Sequence, residues 1–119
     1  MIRLLKKPDV VQKVYNDGLA EFYDVVEKTD EWDTPIRGEF EKGNIQLESW
    51  FRYMGITAQD DHYAKADGKI LSSKIAIRGN VKVNTKWLIE IDGVDHQVYR
   101  TYYNAPRGES ELSLMEVIA

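Results

Sequence analysis

Two carboxylates and an imidazole stand side by side at Asp60, Asp61 and His62. This stretch comes nearest to a catalytic or metal-binding pattern, because carboxylates and imidazole bind metals and carry protons. A complete site needs further converging ligands, and the other histidine, His96, lies in a different part of the chain. Charged loop residues are mostly exposed, so we interpret residues 60–62 as a solvated loop and predict no metal site.

Other catalytic patterns are missing from the sequence. It contains no cysteine, which excludes disulfides, thiolate metal sites and cysteine nucleophiles. The serines lie in no nucleophile-elbow motif, and the glycines are too far apart to form a phosphate-binding loop. His96 has the strand parity of Ile89 and Val98, so we expect a partly buried, hydrogen-bonded histidine at the edge of the core. We predict a protein that is not an enzyme and needs no cofactor.

The charge of the chain argues against nucleic-acid binding. Its formal net charge is -4, whereas proteins that hold phosphate backbones usually carry a basic surplus. Tyr99, Tyr102 and Tyr103 could stack bases, but cross-strand aromatic packing accounts for them better. Arg100 is the one basic residue beside them, which is little positive charge for binding phosphates. We predict no sequence-specific binding of nucleic acid.

Length and hydropathy favour one domain outside the membrane. No apolar run approaches the roughly 20 residues that cross a bilayer. Residues 2–7 are too short an apolar stretch, and too soon interrupted by charge, for a secretory signal. At 119 residues the chain fits a single domain, 1–119, that can hold a core without disulfides. We expect a soluble protein that is made in a cytoplasm and makes no membrane contact.

The clearest structural signal is an antiparallel meander over residues 84–118. Alternating residues predict a strand at 87–91, and Asp92-Gly93 is a hairpin turn signal. A second strand at 96–103 and a last strand at 109–118 are separated by a turn at 104–108, which contains Pro106 and Gly108. The face that these strands share is the predicted core, made of Trp87, Ile89, Ile91, Val98, Leu112 and Leu114.

Residues 9–27 allow two interpretations. Their apolar spacing fits an amphipathic helix. Asn16-Asp17-Gly18 interrupts that pattern with turn chemistry, and the Val and Tyr content suits strands. We favour a hairpin with arms at 10–15 and 19–26.

The middle of the chain combines strand signals with a long irregular stretch. Residues 36–40 and 69–78 alternate as strands, whereas 43–68 keeps no steady period and is predicted to be a long loop with room for a short helix. This loop carries a cluster of large side chains, which could cap the barrel as a satellite cluster or anchor an assembly interface that becomes ordered when subunits meet. The residues of the cluster are Trp50, Phe51, Arg52, Tyr53 and Met54.

The fold class follows from this count of elements. Six to seven short strands with one long loop, and no alternation of helices with strands, predict a mainly β protein. The expected architecture is a small antiparallel β-barrel or sandwich, in which closing the sheet would remove exposed edges.

The same pattern resembles a known family, the head-tail joining proteins of tailed bacteriophages, also called head-completion or stopper proteins. The likeness covers most of the chain. It rests on the hairpin-like residues 14–26, the strand at 36–40, the variable middle, and the segment Lys74-Ile75-Ala76-Ile77-Arg78. It continues with 87–91, Asp92-Gly93, Val98-Tyr99 and the closing segment Glu111-Leu112-Ser113-Leu114-Met115. Val94-Asp95 lengthens the hairpin beyond the usual turn of this family.

The resemblance implies a non-enzymatic structural protein of the virion. Such proteins are small β-barrels that are monomeric when free and then join a ring below the portal and adaptor, where they close the filled head and receive the tail. Portal, adaptor and tail proteins would be its partners, and the host bacterial cytoplasm the place of assembly. The acidic balance suits a channel wall that DNA must pass without sticking.

Two alternatives stay open at the level of the sequence. One is a minor capsid or tail-completion protein of the same particle, because such small β-proteins have a similar meander. The other is a free-standing small barrel that binds single-stranded nucleic acid or a peptide.

Overall fold

A computed structural model describes residues 14–117, and these form one antiparallel sheet closed into a barrel, with a helix outside it. The strand order is β1-β2-β3-β6-β5-β4, and β4 pairs with β1 to close the ring. The predicted mainly β class and small barrel are confirmed. The elements are β1 (Gly18–Thr29), β2 (Pro35–Met54), α1 (Ala58–Ala66), β3 (Ser73–Arg78), β4 (Leu88–Ile91), β5 (Val94–Asn104) and β6 (Glu109–Glu116).

The core lies inside the barrel and is filled by every second residue of the strands. All of the strands supply it, as expected when one face of each strand points inward. Its members are Ala20, Phe22, Phe51, Ile75, Ile77, Ile89, Ile91, Val98, Leu112 and Leu114. Five of the six predicted core residues are therefore buried. The sixth, Trp87, precedes β4 and is only partly buried, packing against the core from outside the strand.

The predicted meander is confirmed as β4, β5 and β6. Asp92 has a φ of 52° and Gly93 a φ of 78°, the left-handed pair that a tight hairpin turn requires. Ile91 pairs with Val94 and Ile89 with His96. His96 is partly buried, and its Nδ1 lies 3.3 Å from the Ile89 carbonyl oxygen. It is thus the hydrogen-bonded residue at the core edge that its parity predicts.

The predicted hairpin over residues 9–27 is wrong. Residues 19–26 do form a strand, which also excludes the helix there, but β1 pairs with β2 on one side and β4 on the other. The β4 contact covers only Glu21–Tyr23, and neither Val14 nor Tyr15 pairs with β1. Residues 10–13 of that arm lie outside the described range, and Tyr15 is outside any strand.

The predicted long loop at 43–68 is also wrong, because its first half is strand. Residues 43–54 belong to β2, which is 20 residues long. Register shifts in the pairing of β1 with β2 break the alternation that would have revealed this strand. The second half contains α1, the short helix that the loop left room for.

Residues 60–62 form the first turns of α1 instead of a solvated loop. Thr57 caps the helix: its side chain accepts from Asp60 N, and the Asp60 carboxylate accepts from Thr57 N. This reciprocal pair is a capping box, which satisfies two backbone donors that would otherwise lack partners. Only Ala64 of the helix is buried, so the sequence shows little helical periodicity.

The burial of Phe51 predicts a large loss of stability when its ring is removed. Phe51 is 0% exposed, and Phe51→Ala should lower the free energy of unfolding by about 3–5 kcal/mol. Ile70→Ala is the control, because Ile70 is 78% exposed and its truncation should cost less than about 0.5 kcal/mol. Urea denaturation of both variants measures the difference. Equal midpoints for the two variants would contradict this placement of the ring.

Candidate assembly surface

The residues predicted to form an assembly interface are instead part of the barrel wall. Phe51 is in the core, and its ring contacts that of Tyr53 edge-on at a centroid distance of 5.0 Å. Trp50 and Met54 are partly buried against Tyr15 and Ala76. Tyr53 is 49% exposed at one end of the barrel. The satellite-cluster interpretation is closer to the structure, since this cluster packs on the barrel and no long loop carries it.

Arg52, the charged member of that cluster, lies in a buried ion network. The Glu109 carboxylate, 1% exposed, accepts from the Arg52 guanidinium. It also accepts from the Tyr15 hydroxyl at 2.9 Å and lies 3.2 Å from Arg107 Nε. Burial raises the pKa of the Tyr15 hydroxyl, and the hydrogen bond to Glu109 raises it further. The network fastens the segment before β1 to the outer face of β2 and β6.

Two other exposed aromatic residues, Trp32 and Phe40, lie on an extension of the β1–β2 hairpin. β4 pairs with β1 only over Glu21–Tyr23, so beyond that point the two strands continue as a two-stranded ribbon, residues 25–41. Trp32 at its tip is 78% exposed, and Phe40 on its flank is 57% exposed. The Cα radius of gyration is 15.6 Å, larger than the about 13 Å of a compact domain of about 100 residues, as expected when part of the chain projects from the barrel.

The ribbon tip is a preorganised turn. The Asp30 carboxylate oxygen Oδ1 accepts from the backbone N–H groups of Trp32 at 2.8 Å and Thr34 at 3.0 Å. The Asp30 N–H donates to the Thr34 carbonyl oxygen, the Asp30 carbonyl oxygen accepts from Asp33 N, and Asp33 has a φ of 59°. Aspartate suits such turns because its side chain bonds to the backbone two residues on and tolerates positive φ. Trp32 is therefore presented to solvent by a defined backbone.

The base of the ribbon is held by Asp24. Its carboxylate accepts from Asn44 N at 2.6 Å and from Gln46 Nε2 at 3.1 Å. A Cβ atom at position 43 would collide with the Asp24 carboxylate. Gly43 thus leaves room for the Asp24 side chain where it crosses onto β2, next to the register shifts of the hairpin.

A second restraint on the base is the ammonium group of Lys42. It forms ion pairs with Glu90 of β4 and, at 2.7 Å, with Asp95 of β5, and it lies 4.7 Å from the centroid of the Tyr23 ring. Burial alone would lower the pKa of Lys42, but hydrogen bonds and attraction from Asp95 and Glu90 raise it from 10.5 to about 12. Three strands are thereby joined at the point where the ribbon leaves the barrel.

The ribbon carries an acidic surplus equal to the net charge of the chain. Residues 25–41 hold six acidic and two basic side chains, a net charge of -4, and the whole chain has a net charge of -4. Outside the ribbon, residues 14–24 and 42–117 hold 13 acidic and 10 basic side chains, a net charge of -3, and residues 1–13 contribute +3. Trp32 lies among Asp30, Glu31 and Asp33, so the tip combines an exposed aromatic ring with negative charge.

A groove of about 720 Å³ runs between the ribbon and the barrel. Its lining is mainly apolar, and Lys69 and Lys86 are both exposed at its edge. No carboxylate is among the described lining residues. The apolar residues are Val25 and Phe40 on the ribbon side and Leu88, Val98, Met115 and Val117 on the barrel side.

The enzyme-like residues of the sequence do not converge on a site. The Asp60 carboxylate pairs with Lys74 at 2.9 Å. Burial raises the pKa of Asp60, but the Lys74 and Thr57 hydrogen bonds outweigh burial and hold it below its usual value. Within residues 14–117, no group of three or more His, Asp or Glu side chains is arranged to hold a metal ion. None of the helical segments in this range is long and apolar enough to cross a membrane.

The ribbon was missed because its two halves were interpreted separately. The sequence pattern assigns residues 19–26 to a hairpin with 10–15 and predicts residues 36–40 as a separate strand. The available signal was Trp32 itself: a tryptophan next to three carboxylates cannot be buried without partners for those charges. Asp30 and Asp33 before Pro35 are also turn residues between two alternating segments, which is a hairpin signal.

The Glu109 network predicts a large cost for neutralising its carboxylate. Glu109→Gln keeps the shape of the side chain but leaves Arg52 without a counter-charge, and breaking a buried pair typically costs about 3–5 kcal/mol. Glu116→Gln, the same change at an exposed position of β6, is the control. Urea denaturation at neutral pH compares the two variants. A loss below about 1 kcal/mol for Glu109→Gln would show that the network adds little to stability.

The Lys42 cluster predicts a stability change at high pH. The pKa of Lys42 is higher in the folded state, so its contribution is complete below pH 10.5 and declines as the pH approaches about 12. That shift corresponds to about 2 kcal/mol, which Lys42→Met should remove at neutral pH. Denaturation curves across this pH range measure it, with exposed Lys28→Met as the control. If wild type and Lys42→Met lose stability in parallel above pH 10.5, the assignment to Lys42 fails.

Comparison with known proteins supports the fold and goes no further. The solution structure of protein SF1141 from Shigella flexneri 2a is similar to this chain, with a TM-score of 0.54 and 15% sequence identity. The match covers 83% of this chain and 90% of that one. No protein-family model and no curated protein matches the sequence. At this level of identity the likeness concerns the barrel fold alone.

Proposed function

We propose that the protein is a structural component of a tailed-bacteriophage particle that has no catalytic role. In this proposal it joins a ring below the portal and adaptor, closes the DNA-filled head and receives the tail. The observation that carries the proposal is the ribbon: a rigid, acidic arm with an exposed tryptophan at its tip, projecting from a closed barrel. The resemblance of the strand pattern to head-tail joining proteins is the reason for proposing a phage particle as its location.

A projecting ribbon suits a protein whose role is to contact neighbours. Within the barrel each strand has neighbours on both sides, whereas the ribbon strands pair only with each other over residues 25–41. Their outer edges and exposed apolar side chains are available to other chains. Because the turn and the base are hydrogen-bonded, little conformational entropy would be lost on docking.

The distribution of charge fits a component of a DNA channel. Contacts between basic side chains and phosphates would hold the DNA during its passage. The ribbon has a net charge of -4, so a ribbon facing a channel would repel DNA. The buried carboxylate Glu109 and the ribbon-base pair Glu90 and Asp95 each face a cation, and we propose that these groups support the fold.

The arrangement of the tyrosines does not favour the single-stranded nucleic-acid alternative. The Tyr99 hydroxyl donates to Asp67 beside α1. Tyr102 and Tyr103 are adjacent on β5, so their side chains project to opposite faces of the strand. The three rings therefore do not form one continuous stacking platform of the kind used for single strands.

Deleting the gene from the phage or prophage that carries it tests the proposed function. After induction we expect DNA-filled heads without tails, loss of DNA from those heads, and free complete tails. Negative-stain electron microscopy counts the particles, and the wild-type gene supplied in trans should restore tailed virions. A catalytic or regulatory protein would not be expected to give this separation of heads from tails.

The other outcomes separate the remaining roles. Normal tailed particles would overturn the proposal. Malformed or unfilled heads would indicate a minor capsid protein instead, and tails of abnormal length or without a terminus would indicate a tail-completion protein. Electrophoretic mobility of labelled oligonucleotides provides the last control, because tight binding at physiological salt would favour the nucleic-acid barrel.

A further inference from the structure

The groove and the ribbon tip have complementary chemistry. The groove is mainly apolar, about 720 Å³ in volume, with Lys69 and Lys86 at its edge. Neither lysine forms an ion pair with any described residue. A volume of this size is within the range of sites that enclose a compact apolar group. Its best occupant is an aromatic side chain accompanied by negative charge.

The ribbon tip has these properties. Trp32 is 78% exposed, and Asp30, Glu31 and Asp33 surround it in the sequence. A large exposed tryptophan on a rigid turn is typical of the residues that dominate interface energies. Its exposure also means that the tip does not occupy the groove of its own chain.

We infer that the ribbon tip of one copy of this chain docks in the groove of a second copy. Trp32 would enter the apolar groove near Phe40 and Leu88, and the carboxylates of the tip would approach Lys69 and Lys86. The inference rests on the proposed function, since it identifies the surfaces through which copies join.

The contact is head-to-tail, because tip and groove are different surfaces of the chain. Such a heterologous contact leaves a free tip on one copy and a free groove on the other, so it propagates. It produces a closed ring when the rotation between neighbours closes, and an open filament when it does not. A single type of contact would thus be enough to form a ring of identical subunits.

Cysteine crosslinking tests the contact directly, because the natural chain contains no cysteine. Glu31→Cys places a thiol on the tip, and Thr85→Cys places one in the groove lining. Mixing the two purified proteins at high concentration with a short bismaleimide should give a crosslinked heterodimer that intact mass spectrometry identifies. Each variant alone should give little product. Ala105→Cys, at the exposed β5–β6 turn, replaces the groove variant as the control.

Second substitutions show whether the crosslink reports specific docking. Trp32→Ala in the tip variant should weaken association about 30-fold or more, the loss typical of a truncated anchor tryptophan. Lys86→Glu in the groove variant should reduce the crosslink yield strongly. Lys82→Glu makes the same charge change at an exposed lysine outside the groove lining, and should leave the yield near that of the parent.

Each result supports or overturns the inference separately from the proposed function. Crosslinking of tip to groove that depends on Trp32 and Lys86 supports it, both in the free protein and in particles. Equal yields with Thr85→Cys and Ala105→Cys, or equal effects of the two lysine reversals, overturn it. If the gene deletion leaves heads and tails separate while tip and groove fail to crosslink, the function stands and this contact is wrong. If tip and groove crosslink specifically but the gene deletion still yields normal tailed particles, the contact stands and the proposed function is wrong.

Discussion

The structure depends on a short seam where β1 meets β4. Only three pairs of residues form it, Glu21 with Glu90, Phe22 with Ile89 and Tyr23 with Leu88. Its central pair, Phe22 and Ile89, is completely buried, so closing the sheet also brings two large apolar side chains together inside the barrel. Without this seam β1 and β4 would be open edges, and much of the core would face water.

The shortness of the seam is also what creates the ribbon. β1 has 12 residues and β2 has 20, but the barrel gives β1 a second neighbour only at its beginning. The rest of the hairpin has to leave the barrel wall, and a free two-stranded ribbon is only marginally stable in water. The contacts of Asp24 and Lys42 stabilise the ribbon at its base, and those of Asp30 stabilise it at the tip. The same hydrogen bonds that make the ribbon stable keep its exposed aromatic residues in fixed positions.

How far the fold could be predicted depended on how regularly each strand alternates. The meander was correct because β4 and the first part of β5, before the register shift after Val98, keep a period of two around Asp92-Gly93, where residue type determines the turn. β2 was missed because bulges and Gly43 interrupt its period, and its aromatic cluster then looked like a loop. The Asp24 contact that explains Gly43 joins positions far apart in the chain, so no local pattern could show it. The ribbon forms where β1 has no second neighbouring strand, beyond Tyr23. That position follows from how the barrel closes and is not visible in the sequence.

The distribution of charge over ribbon and barrel also bears on how copies of the chain would approach one another. Residues 25–41 carry a net charge of -4, so two ribbons repel each other within the roughly 8 Å range that physiological salt allows. The described barrel residues also carry a net charge of -3, but the side of the barrel with Lys69 and Lys86 attracts a ribbon. Electrostatics at short range therefore favours the head-to-tail approach over a symmetric tip-to-tip approach. Because attraction between exposed charges is weak, the apolar contact of Trp32 would have to supply most of the affinity, while the charges select the orientation.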